Sequence, residues 1–158
     1  MKKRLRRLLR QKRGVMNNWF SIYLIAPIVG WLSAHLVKFL LTLVASGGKE
    51  RSLGIFLRAG GMPSSHSSVM IAVLTVIGGK QGVGSAVFGL GFAVTAIIIY
   101  DALNVRRAVG EQGDVLRKVA AHTKVEDRFY TAYGHTVPEV VVGSLLGLLV
   151  GWILLQIL

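Results

Sequence analysis

From Val83 to Tyr100 the chain carries no charged side chain. As a helix at ~1.5 Å per residue this stretch is about 27 Å long, close to the ~30 Å hydrocarbon core of a bilayer. Inside lipid a backbone has no water to bond to, so an apolar run of this length must close its hydrogen bonds internally, as a helix does. Three more runs have the same character: Trp19 to about Val44, Pro63 to about Gly79, and about Pro138 to Leu158. The pattern predicts an all-α fold, a multi-pass transmembrane helical bundle of about four spans. The composition agrees, with 53% hydrophobic residues and a mean hydropathy of +0.57 over 158 residues, enough for one domain.

Net charge is +12, from 19 Lys and Arg against 7 Asp and Glu. A basic soluble protein would point to nucleic acid, but no aromatic-and-basic RNA motif or recognition-helix pattern is present. Anionic lipid headgroups are the better partner. Residues 1–17 form a basic arm, its first thirteen being MKKRLRRLLRQKR. The arm is either a positive-inside anchor or a headgroup-binding segment, and both place it in the cytoplasm. The run behind it is too long, and lacks the cleavage site, for a signal peptide. There is no cysteine, which excludes disulfides, thiolate catalysis and zinc-thiolate sites.

The rest, residues 18–158, reads as a single transmembrane domain with a polar interfacial segment at 106–134. Trp19 suits the membrane–water boundary, and Lys38 falls near the opposite one, with His35 a turn inside it. Lys38 is either a snorkelling lysine that ends the span or a ligand for an anion. Span two is preceded by Gly60-Gly61-Met62-Pro63-Ser64-Ser65-His66-Ser67-Ser68. Proline just inside a helix start gives up no hydrogen bond, and Ser64 or Ser65 can cap the helix. The remaining free amides and the helix dipole then make an anion pocket with His66 at its rim. A capped helix with a lone interfacial histidine is the plainer alternative.

Gly78-Gly79-Lys80-Gln81-Gly82 reads as a short turn, and span three ends in Tyr100-Asp101-Ala102-Leu103-Asn104-Val105-Arg106-Arg107. Asp101 needs a cationic partner there, and the two arginines are within reach. They form either a salt-bridged helix end or an arginine pair on a phosphate, held by the carboxylate. Val115, Leu116, Val119 and Ala120 fall at helical spacing, so part of 106–134 is predicted as an amphipathic helix lying on the interface. Gly143, Gly147 and Gly151, and likewise Ser85, Gly89 and Ala93, form small-residue stripes that suit either internal helix packing or a dimer face.

Up-down-up-down threading places the end of span one, the start of span two, the end of span three and the start of span four on one membrane face. Those ends carry Lys38, His66, Asp101, Arg106, Arg107, His135 and Glu139. Ionisable groups at membrane depth are costly and usually functional. Phosphoryl transfer is the chemistry these types support. Lys38, Arg106 and Arg107 would neutralise phosphate oxygens, and the helix start at Ser64 and Ser65 would donate amides. One histidine would attack phosphorus while the other protonates the leaving oxygen. His135 and Glu139, four apart, can share a helix face, which would fix the imidazole by one nitrogen and free the other. Thr136-x-x-Glu139 is also a capping box, and the two uses are compatible.

Three segments, GGMPSSHSS, YDALNVRRAVGEQ and GHTVPEVVVGSLLG, in that order and separation, resemble the divergent branch of the type-2 phosphatidic acid phosphatases, also described as acid phosphatase/vanadium-dependent haloperoxidase-related proteins. The resemblance covers nearly all of the chain after the arm. Pro63-Ser64-Ser65-His66 is similar to the superfamily's Pro-Ser-Gly-His motif with serine for glycine, which implies His66 as general acid. His135-x-x-x-Glu139 is similar to its His-x-x-x-Asp motif with glutamate for aspartate, which implies His135 as nucleophile and Glu139 as its orienting acceptor. Lys38 stands where the first motif has lysine. Ala45 and Phe129 occupy the positions of the motif arginines, and Arg106 and Arg107 are placed as substitutes by geometry alone. Such phosphatases usually use no metal, and no cofactor is expected. Having fewer spans than is usual for the superfamily leaves room for a homodimer to complete the core.

The expectation is a membrane phosphatase that hydrolyses a lipid-linked phosphate or pyrophosphate through a phosphohistidine, in a bacterial plasma membrane with its N-terminus cytoplasmic. The alternative is a non-enzymatic carrier or channel subunit binding an anionic lipid or ion through the same residues.

Overall fold

A computed structural model describes residues 21–47, 60–123 and 133–158. The readings of the basic arm, of Trp19 and Phe129, and of the segment 124–132 fall outside these residues. The described residues are helical, with no strand among them.

Helix α1 spans Ile22–Ala45, and the Ser21 side chain accepts the Tyr23 amide at its start. Its 24 residues reach about 36 Å, enough to cross a bilayer. Helix α2 spans Ser65–Gln81. Pro63 lies outside it, before the capping residue Ser64, rather than in its first turn. The run Gly78 to Gln81 is the last turn of this helix, not a loop, and the chain leaves the helix at Gly82, whose φ is +84°. Gly79 sits inside the helix where a Cβ would strike the Leu155 side chain of the helix packed against it.

Helix α3 spans Ala86–Tyr100, capped by Ser85, whose hydroxyl oxygen accepts the Phe88 amide at 3.2 Å. A π turn follows at Asp101–Val105, and helix α4 at Arg106–Thr123. The three form one continuous helix of 38 residues, about 57 Å long. The amphipathic segment is therefore no separate element, as the sequence suggested, but an extension of the third span. Helix α5 spans Val137–Ile157, with Thr136 as its cap and Pro138 in its first turn.

Three helices are long and apolar enough to cross a membrane: α1, α3–α4 and α5. With 17 residues, α2 reaches about 26 Å. It is the centre of the bundle, with α1, α3 and α5 all packed against it. Small residues allow this packing. A Cβ at Gly143 would strike the Ser64 carbonyl, one at Gly147 the Ser68 carbonyl, and one at Gly151 Thr75 and the Ala72 carbonyl. The glycine ladder of α5 is thus an internal contact rather than a dimer face. On the other flank the Ser68 hydroxyl donates to the Gly30 carbonyl of α1 at 3.0 Å.

Ala26, Ala72, Val76, Val150 and Leu154 close the core below the serines. Large apolar side chains such as Leu24, Leu90, Ile97, Leu148 and Trp152 point outward, the arrangement expected where lipid is the solvent. Gly89, in the second small-residue stripe, has no described neighbour within 4 Å of a built Cβ. The protein is an integral membrane protein.

Candidate active site at one end of the bundle

The site is built where α2 and α5 begin and α3 ends. Ser64 ties the first two together: its amide donates to the Glu139 carbonyl at 3.0 Å. Its hydroxyl oxygen accepts from the Ser67 amide and hydroxyl, at 3.4 and 3.1 Å. The Ser68 amide closes the first helical bond, on the Ser64 carbonyl. Ser64 is therefore a buried structural cap, and the amides of Ser65 and His66 are left without an intrahelical acceptor.

His135 is placed from two sides. Its amide donates to the Ala102 carbonyl in the π turn at 2.9 Å. Gly134 makes this approach possible, since a Cβ there would collide with the Arg107 backbone. Tyr133 adds a tie on the outer side, donating its hydroxyl to Asp114 at 2.8 Å and accepting from Arg117 at 3.3 Å. Asp114 stabilises the protonated phenol and raises the Tyr133 pKa above its ordinary value. The His135 ring is only 3% exposed. Its Nδ1 lies 3.0 Å from Glu139 Oε2, and that same oxygen accepts the Thr136 amide at 3.1 Å. Glu139 thus orients the imidazole and caps α5 at once. With Nδ1 engaged, Nε2 is the nitrogen left for chemistry.

The His66 and His135 ring centroids stand 5.8 Å apart, their planes at 67°. His66 Nδ1 is buried and has no hydrogen-bond partner among the described residues. Arg106, His135, Asp101 and Lys38 all lie within electrostatic range of the His66 ring, and Glu139 within range of Lys38. Lys38 is 6% exposed and donates to the Gly60 carbonyl at 2.6 Å. Gly60 and Gly61, at φ +79° and +81°, adopt the left-handed backbone that presents this carbonyl. An ammonium has three donors, so two remain for an anion. His35 turns along its own helix instead, with Nδ1 on the Trp31 carbonyl at 2.9 Å and its ring 4.2 Å from that of Trp31.

The two arginines separate. Arg106 Nε lies 2.7 Å from Asp101 Oδ2. Residues five apart do not share a face of an α-helix; the i→i+5 bonding of the π turn, with the Arg106 amide on the Asp101 carbonyl, brings them together. Arg107 pairs with Glu111 at 3.1 Å, and both side chains are more than 60% exposed. Six predicted residues therefore lie at the same end of the bundle, linked pairwise by contact or by electrostatic influence: Lys38, His66, Asp101, Arg106, His135 and Glu139. Arg107 stands outside this group. The Gly60 and Ala102 carbonyls and Gly134 are contributions the sequence reading missed. Only the paired glycines at 60–61 gave a visible signal.

Among the described residues no group of three His, Cys, Asp or Glu side chains is placed to hold a metal. The arrangement instead offers cations, amides and two imidazoles at one end of the bundle, which suits an oxyanion undergoing proton and group transfer.

Comparison with known proteins identifies the family. A family model described as "Divergent PAP2 family" matches residues 19–150. The chain is 28% identical over 147 residues to the uncharacterized membrane protein YuiD of Bacillus subtilis (strain 168), covering 83% of this chain and 92% of that relative. No solved structure matches.

Proposed function

The chain belongs to the divergent PAP2 family, and from that premise we propose that it is a membrane phosphatase acting on a lipid-linked phosphate or pyrophosphate through a phosphohistidine intermediate. The observation that carries the reading is the pair of imidazoles 5.8 Å apart, one of them fixed through Nδ1 by Glu139. In this reading His135 Nε2 attacks phosphorus and the P–O bond to the leaving group breaks. His66 gives its proton to the departing oxygen. Water then attacks the phosphoryl group, His66 takes back a proton, and the P–N bond to His135 breaks to release phosphate. Atoms and charge balance without a further reactant besides water.

Lys38, Arg106 and the Ser65 and His66 amides neutralise the phosphate oxygens, which carry most charge in the transition state. Asp101 fixes the Arg106 guanidinium through its Nε. Glu139 holds the His135 tautomer and stabilises the imidazolium that forms on attack. In the same reading the basic arm, eight Lys and Arg in the first thirteen residues, stays on the cytoplasmic side of a bacterial plasma membrane by the positive-inside rule, with the site on the opposite face.

The test is alanine at His66 and at His135 in purified protein offered phosphatidate, phosphatidylglycerophosphate and polyprenyl pyrophosphate. Phosphate release is expected to fall by at least ~10²-fold in each variant. Undiminished release from either rejects the assignment. Retained lipid binding by a wild-type protein that turns over none of the three points to the carrier reading.

A further inference from the structure

One groove in the membrane-depth part of the molecule is not used by the chemistry. It lies between α2 and α3, with Ile71 and Leu74 on one wall and Phe92, Ala96 and Ile99 on the other. The two helices meet at Gly91, where the absent side chain leaves room for Leu74. From that level the groove runs toward the site and ends at Tyr100, Leu103 and Asn104.

Two of its polar residues, Thr95 and Asn104, are turned back on their own helix. The Thr95 hydroxyl donates to the Gly91 carbonyl at 2.7 Å, and the Asn104 amide to the Tyr100 carbonyl at 3.1 Å. Apart from the Tyr100 hydroxyl at the site end, the lining therefore offers mainly hydrocarbon. Tyr100 to Asn104 alternate in sequence with the site residues: Asp101 lies among them, and Arg106 follows two positions on. One short segment thus carries the apolar wall and, two residues beyond it, the Arg106 guanidinium.

We infer that this groove seats the hydrocarbon chain of the membrane phosphate ester whose head lies between Arg106 and the two histidines, an inference that rests on the proposed phosphate site. An apolar groove that ends within two residues of Arg106 matches an amphiphile of that kind better than a soluble phosphate. From Phe92 to Asn104 the groove is about 18 Å long, roughly one leaflet of a ~30 Å hydrocarbon core. A chain lying in it reaches from the headgroup level to the bilayer midplane, and the substrate enters sideways from its own leaflet. Acyl and polyprenyl phosphates share this chemistry, and the experiment separates them.

The His135→Ala protein in phosphatidylcholine vesicles is photolabelled with phosphatidate carrying a diazirine in one acyl chain, and the adducts are mapped by mass spectrometry. Adducts are expected on Ile71, Leu74, Phe92 and Ile99, and to be lost with excess unlabelled phosphatidate. Competition by polyprenyl phosphate as well would mark both chain types as occupants. Adducts spread over the outward faces of α1 and α5, and unaffected by competitor, would overturn the inference. Narrowing the groove with Ala96→Phe should lower the kcat/KM ratio of long-chain lipid phosphate to aryl phosphate by about tenfold. An unchanged ratio overturns the inference equally. Groove adducts in a protein that releases no phosphate from either substrate would sink the phosphatase reading and leave the groove assignment standing.

Discussion

Glu139 holds two hydrogen bonds on one oxygen, and its two duties can be separated. Glu139→Gln keeps an acceptor for the Thr136 amide but removes the charge that faces His135. Phosphate release is expected to fall about 10–100-fold, as when an orienting partner is lost, with little change in melting temperature. Glu139→Ala should lose activity to the same extent and also ~1 kcal/mol of helix-cap stability, visible as a lower melting temperature. Equal melting temperatures for the two variants would show that the cap is not carried by this side chain. The pairing with His135 was legible in the sequence, because residues four apart share a helical face. Which arginine joins the site was not. Arg106 and Arg107 are neighbours about 100° apart around an α-helix, and only the phase of the π turn decides which one faces Asp101 and His66. Arg106→Gln should accordingly lower phosphate release at least ~10-fold, and Arg107→Gln should have little effect.

At the scale of elements, the spans and their ends could be read from hydropathy, since lipid imposes helix on any long apolar run. Two features could not. A π turn has no local sequence signature, so the third span and the polar segment after it read as two elements when they are one helix. The glycine stripes of spans three and four look alike in sequence, yet only one is enclosed. Gly143 and Gly147 rest on the α2 backbone, whereas Gly89 has open space around it. The difference lies in which helix stands opposite, which no single stretch encodes. Gly147→Ala should therefore overpack the α2–α5 contact and cost ~1–3 kcal/mol, read as a loss of thermal stability in detergent. Gly89→Ala should leave stability unchanged or slightly raised. Equal losses at both would contradict the packing described. Gly134→Ala should act differently, forcing His135 away from the π turn and reducing activity more than stability.

For the whole molecule, the organising fact is that side chains separated by up to a hundred positions come together at one end of the bundle. Lys38 and Asp101 arrive at the ends of outgoing helices; His66 and His135 stand at the starts of returning ones. On the proposed topology, four crossings with a cytoplasmic N-terminus, a reporter active only outside the cytoplasm should be active when fused at residue 112, and a cytoplasmic reporter should be active at the C-terminus. The reverse pattern would invert the orientation, and activity of the C-terminal fusion on the outer side alone would mean that α2 does not cross.

The central claim is that the two imidazoles act in sequence on one phosphorus atom. Its most direct test is the His66→Ala protein with 2,4-dinitrophenyl phosphate, whose leaving group needs no protonation. Attack by His135 should then proceed while hydrolysis of the intermediate, deprived of its base, stalls. The account predicts an acid-labile, alkali-stable phosphoryl adduct that accumulates on His135 and is absent from His66→Ala/His135→Ala. No adduct, or an adduct on a serine of the helix start, would contradict it.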